Sequence, residues 1–86
     1  MERLREMRSE MDRLDEKLTQ MFLRRLELSA RIGAHKQQVG LPALDQRREL
    51  EVIQNVSRLA EEERQKLEVA QLYQNILALS RREQRR

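Results

Sequence analysis

The chain has 86 residues, of which 38% are hydrophobic and 38% charged, and its net charge is +3. It has no Cys, so disulfides and thiolate metal sites are excluded. It has only two Gly and one Pro, so the turn residues that an all-β fold needs every ~8–12 positions are missing. No apolar run approaches the ~18 residues of a membrane span, and no signal peptide is visible. We therefore expect one small all-α domain over residues 1–86, cytoplasmic by default and without a membrane partner.

The first predicted element is one long helix, from about residue 3 to about residue 37. At ~1.5 Å per residue it would be roughly 50 Å long, whereas a compact chain of this size has a radius of gyration near ~12 Å. We expect the helix to project from its own chain's core and to be buried by a partner, because small chains without disulfides or metal commonly oligomerise. Apolar residues follow it at mostly heptad spacing: Leu4, Met7, Met11, Leu14, Leu18, Met21, Leu28 and Ile32.

Two further helices are predicted after the turn at Gly40 and Pro42. The second helix should start near Asp45, a residue type suited to an N-cap. A second break is expected within residues 57–64, although no Gly or Pro marks it. The acidic run over residues 61–63 suits the start of the third helix, because carboxylates favour the positive end of the helix dipole.

Polar residues interrupt the apolar face of each predicted helix. Arg25 occupies the heptad position after Met21, and Lys36 lies eleven residues further on, on the same side of the helix. Each interruption has a plainer interpretation by itself, such as a snorkelling arginine, an intrahelical ion pair or a fraying helix end. Together they indicate a cation-rich pocket inside a helical bundle, suited to a small dianion. The other members are Asp45, Arg48 and Glu49 in the second helix and Ser80 and Gln84 in the third.

Arg8 lies 17 residues before Arg25, roughly 25 Å away along the first helix. One small ligand cannot contact both side chains on one chain. In an antiparallel homodimer that crosses near residues 16–17, however, Arg8 of one chain would meet Arg25 of the other. Two-fold symmetry would then produce two shared sites.

No other chemistry is indicated by the residue types. The one histidine, His35, is expected at the surface, and there is no metal-ligand spacing, phosphate-binding loop or nucleophile–base pair. We therefore expect no metal and no cofactor, and an enzyme built from this chain would work by positioning and electrostatics.

Several segments carry a resemblance to a known family. They are Leu4-Arg5-Glu6, Leu14-Asp15-Glu16-Lys17-Leu18, Arg24-Arg25-Leu26-Glu27-Leu28, Ile32-Gly33 and Asp45-Gln46-Arg47-Arg48-Glu49, with Arg8, Lys36, Pro42, Ser80 and Gln84. No single segment is specific, but as an ordered set they resemble the all-helical chorismate mutases (AroQ class) over nearly the whole chain. The resemblance implies three helices intertwined in a homodimer that rearranges chorismate to prephenate.

The same resemblance implies a role for each polar residue. Lys36 and Gln84 would bind the ether oxygen of chorismate, and Arg25 would grip a substrate carboxylate. Arg8 would come from the partner subunit, and Asp45 and Arg48 would lie at the start of the helix that closes over the substrate. Glu49 would accept a hydrogen bond from the ring hydroxyl, and Ser80 would donate one to a carboxylate. The rearrangement needs no proton transfer, nucleophile or metal, which agrees with the residue types present.

Two other interpretations remain open at this point. A non-catalytic homodimeric helical-bundle interaction module would explain the heptads and the Glu/Arg surface, but not the polar inward faces. A small nucleic-acid-binding domain is disfavoured by the net charge of only +3 and by the two aromatic residues, so no nucleic-acid partner is expected.

Overall fold

The computed structural model describes all 86 residues and contains three α-helices and no strand. Helix α1 spans Glu2–Val39, α2 spans Gln46–Ser57 and α3 spans Glu63–Gln84. The predicted three-helix, all-α chain is confirmed. Both predicted breaks are present, at residues 40–45 and 58–62.

The first break is made by a glycine cap followed by a new helix start. Gly40 has φ of 75° in the left-handed region, and the Leu41 amide donates to the Lys36 carbonyl at 2.8 Å. Asp45 then accepts the Arg48 amide at 3.1 Å, so the predicted N-cap is confirmed. These contacts fix how the chain turns from α1 into α2.

The second break needs neither glycine nor proline. The amides of Leu59 and Ala60 donate to the carbonyls of Val56 and Ser57, three residues earlier, so α2 ends by tightening into 3₁₀-type bonds. Glu62 then adopts an extended conformation before α3 begins. Of the acidic run over residues 61–63, only the last residue lies inside the helix.

Helix α3 packs against both α1 and α2, whereas α1 and α2 do not pack against each other. The chain measures 57 × 27 × 14 Å, and its radius of gyration is 16.3 Å, well above the ~12 Å of a compact chain of this length. Helix α1 therefore projects beyond the rest of its own chain, as expected. Leu77 is the one apolar side chain that the single chain buries.

The apolar stripe on the N-terminal half of α1 is exposed in the single chain. Its members Met7, Met11, Leu14, Leu18 and Met21 are between 51% and 65% exposed. An apolar surface of this extent is typical of an interaction site rather than of a monomer's surface. Its burial by a second copy stays a prediction. None of the three helices is long and apolar enough to cross a membrane.

Candidate active site

A cavity of about 220 Å³ lies where α1 and α2 face each other beside α3. It exists because both helices pack on α3 and not on each other, which leaves a gap between them. The volume is slightly below the roughly 300 Å³ at which pockets for drug-sized ligands begin, so the cavity suits a small metabolite. Its polar lining is Arg25, Ser29, Lys36, Asp45, Arg48, Glu49, Ser80 and Gln84.

Seven of the eight residues predicted for the site line this cavity, and Arg8 does not. Arg8 is exposed on α1, roughly 25 Å along the helix from Arg25. The single chain therefore brings together residues from all three helices and leaves out the one that was expected from a partner. Their roles toward a ligand stay predictions.

Lys36 is held in place by two acceptors from different parts of the chain. Its Nζ donates to the carbonyl of Ala43 and to Oε1 of Gln84, each at 2.9 Å. An ammonium group has three N–H donors, so one remains for a ligand in the cavity. Because Gln84 uses its oxygen on Lys36, its amide NH₂ is also free to donate. The pair is thus arranged as two donors beside one another.

Arg25 is half-buried and takes part in no salt bridge of the chain. Its guanidinium carbon lies 5.8 Å from the centre of the Tyr73 ring, a cation–π distance that orients the group without neutralising it. A half-buried cation without an anionic partner is costly. Arg25 is therefore suited to accept an anionic ligand group.

Two buried serines connect α1 and α3 at the wall of the cavity. Ser29 and Ser80 are 4% and 5% exposed, and their hydroxyl groups contact each other. The Ser29 hydroxyl donates to the Arg25 carbonyl at 2.9 Å, so the proton between the two serines comes from Ser80. The Ser80 oxygen is then left as an acceptor, and donation to a ligand, as expected from the resemblance, requires its hydroxyl to rotate.

The α2 side of the cavity carries Asp45, Arg48 and Glu49. The Asp45 side chain caps the helix, and Arg48 is exposed at the rim, 3.6 Å from Glu51. Such an exposed ion pair is weak, so a ligand can draw Arg48 away from it. Glu49 is more enclosed and forms a salt bridge with Arg81 of α3.

Three participants were not singled out by the sequence pattern. Ser29 lies four residues after Arg25 and seven before Lys36, so stepping back one heptad from Lys36 would have found it. The Ala43 carbonyl and the Arg81 side chain could not be found in that way. Both contacts depend on how the loop and α3 return to the site.

Gly33 permits the close approach of α3 that brings Gln84 to Lys36. A Cβ atom at residue 33 would lie 2.3 Å from the Gln84 carbonyl oxygen and 2.5 Å from its Cα. Both distances are far inside van der Waals contact with backbone atoms, which a small rotation of a side chain cannot relieve. Only glycine therefore allows the two helices to meet at this point.

We expect Gly33→Ala to lower the free energy of unfolding by about 1–3 kcal/mol and to reduce ligand binding, because α3 must shift and carry Gln84 away from Lys36. Urea unfolding at a fixed protein concentration measures the first effect. Gly40→Ala is the matched control. It strains a backbone with φ of 75° in open space, so it should lower stability without changing the site. Equal function of the two folded variants would contradict this account.

The fold and the cavity define a small all-α protein with a cation-rich pocket, and comparison with known proteins gives its family. The family model "Chorismate mutase type II" matches residues 7–85. The chain therefore belongs to the chorismate mutase type II family, in agreement with the resemblance seen in its sequence.

Two curated relatives are similar to parts of the chain. The T-protein of Haemophilus influenzae is 46% identical over 54 residues, which cover 63% of this chain and 14% of that protein. The bifunctional chorismate mutase/prephenate dehydratase of Aquifex aeolicus is 39% identical over 62 residues, which cover 72% of this chain and 17% of that protein. The chain thus matches only a small part of each relative. No solved structure gives a significant match.

Proposed function

We propose that the chain catalyses the rearrangement of chorismate to prephenate, as a homodimer with two active sites that each take Arg8 from the partner subunit. The observation that carries this proposal is the cavity at which Arg25, Lys36 and Gln84 converge without any carboxylate partner for the two cations. Family membership supports the same activity.

The donors in the cavity match the charges of chorismate. The substrate has two carboxylates, and the planar guanidinium of Arg25 can meet one of them with two parallel hydrogen bonds. Arg8 of a partner subunit would meet the other. Glu49 keeps one carboxylate oxygen free for the ring hydroxyl, because the other oxygen contacts Arg81.

Catalysis would come from charge stabilisation and from confinement. As the C–O bond of the substrate breaks, negative charge develops on the ether oxygen. The free N–H of Lys36 and the amide of Gln84 would donate to that oxygen. These hydrogen bonds would be stronger in the transition state than in the bound substrate, so they would lower the barrier. Their positions are already fixed by the contact between them, so little reorganisation is needed during the reaction. Confining the extended dianion in a compact chair-like shape lowers the entropic part of the barrier.

A second copy of the chain is the partner that fits the exposed stripe of α1. The stripe is apolar and lies on a helix of 38 residues. Two such helices crossing antiparallel near residues 16–17 would bury both stripes and place Arg8 of each chain beside Arg25 of the other. The same contact would supply the core that the single chain lacks.

The decisive experiment is a spectrophotometric assay of chorismate loss, with prephenate identified as the product. We expect turnover by the unmodified chain and a large loss on Arg25→Ala. Arg24→Ala, which removes the exposed neighbouring arginine, is the control and should retain activity. A folded, dimeric chain that leaves chorismate unchanged would contradict the proposal and favour a helical-bundle interaction module.

A further inference from the structure

The salt bridge between Arg81 and Glu49 differs from the other salt bridges of the chain. It joins α3 to α2 across 32 positions in sequence, whereas the other seven link residues at most four positions apart. Its two side chains are only 27% and 21% exposed. A partly enclosed ion pair is screened less by solvent than the exposed pairs, so its loss has a larger effect.

The partners sit at helix ends that favour their charges. Glu49 lies in the first turn of α2, where the helix dipole is positive, and Arg81 lies in the last turn of α3, where it is negative. Arg81 Nη1 contacts Glu49 Oε1, which leaves the second oxygen of Glu49 unoccupied by Arg81. Glu49 lines the cavity, and Arg81 does not. Arg81 therefore stands behind Glu49 as seen from the cavity.

We infer that Arg81 is a positioning residue, which orients the Glu49 carboxylate toward the ligand and balances its charge; this inference rests on the proposed function. Around the cavity, the cations Arg25, Lys36 and Arg48 face the carboxylates of Asp45 and Glu49, a net charge of +1. Arg81 raises the charge that the single chain supplies to +2, because it offsets the carboxylate of Glu49. Without Arg81, Glu49 would be free to rotate, and its charge would repel the incoming dianion.

The test compares Arg81→Met with Arg82→Met. Both changes remove one cation from the last turn of α3, so any general effect of the helix dipole is the same for both. We expect Arg81→Met to raise the KM for chorismate about tenfold while kcat changes by less than about threefold, because a contact to the ring hydroxyl is made equally in substrate and transition state. Arg82→Met should change neither by more than about twofold. Arg81→Lys, which keeps the charge, should recover most of the lost affinity.

A double-mutant cycle separates positioning from a direct or purely structural role. In a Glu49→Ala background, Arg81→Met should change KM by less than about twofold, since the group through which Arg81 acts is gone. A merely structural role would lower stability in both backgrounds without this dependence of KM on Glu49. Circular dichroism and sedimentation check the fold of each variant, and Arg81→Gln replaces Arg81→Met if the latter does not fold.

Four outcomes are informative. If Arg81→Met and Arg82→Met have equal KM values, the inference about Arg81 is overturned and the proposed function is not. The same holds if Arg81→Met still raises KM tenfold in the Glu49→Ala background. Absence of turnover by the unmodified, folded dimer overturns the proposed function and this inference with it. A rise in KM that disappears in the Glu49→Ala background establishes Arg81 as the residue that positions Glu49.

Discussion

Replacement of Lys36 by alanine is expected to lower kcat by ~10²–10³, roughly 3–4 kcal/mol of transition-state stabilisation, and to change KM much less. The reason is that, in the proposed mechanism, Lys36 donates to an oxygen that becomes charged only as the C–O bond breaks. The structure indicates a second cause for the loss of kcat, because Lys36 Nζ also donates hydrogen bonds to the Ala43 carbonyl and to Gln84. Loss of Lys36 therefore removes a donor and releases the amide beside it. Steady-state kinetics on the purified variant measure both parameters.

Two companion variants make this result interpretable. Lys36→Met keeps most of the apolar stem but no donor, so it should show the same loss of kcat with better retention of the fold. Lys66→Ala removes a lysine of α3 that pairs only with the exposed Glu63, and it should remain active. A folded Lys36 variant with kcat within tenfold of the unmodified chain would contradict the role given to Lys36.

Arg8→Ala and Arg25→Ala should each lose at least about thirtyfold in kcat/KM, because each would leave a substrate carboxylate without its cation. Mixing equal amounts of the two inactive variants should restore activity to about a quarter of the unmodified level. Random exchange makes half of the dimers mixed, and in a mixed dimer one of the two sites contains neither substitution. The physical basis is the separation of roughly 25 Å between the two residues on one helix.

The control for this mixing experiment is Arg8→Ala combined with a chain that carries both substitutions. No pairing of those chains produces an intact site, so no activity should return. Analytical ultracentrifugation should show a dimer at micromolar concentration for every variant. A folded monomer, or mixing that restores nothing under conditions of proven subunit exchange, would contradict the shared-site arrangement.

Local patterns were sufficient to predict the helices and much of the site. The heptad repeat defined α1, and Gly40 with Pro42 and Asp45 marked the first break, because these residues act on the backbone within a few positions. The second break was predicted only to within residues 57–64, since α2 ends through 3₁₀-type bonds that no particular residue announces. Seven of the eight predicted polar residues line one cavity because helical periodicity determines which side of a helix each residue occupies.

Periodicity gives a direction for each side chain, but it contains no information about what lies opposite. The pairing of Lys36 with the Ala43 carbonyl and Gln84, the contact of Ser29 with Ser80, and the salt bridge from Arg81 to Glu49 all join residues from different elements. These contacts depend on the distance and rotation between packed helices, to which Gly33 contributes by letting the backbone of α3 come close. The sequence by itself therefore determined three helices and the face on which each polar group lies. Only the tertiary structure decided which of these groups are fixed by a hydrogen bond or salt bridge and which keep a free donor or charge. It also decided that α1 and α2 stay apart and leave a cavity. The reason is that helix packing depends on side chains that are far apart in the chain.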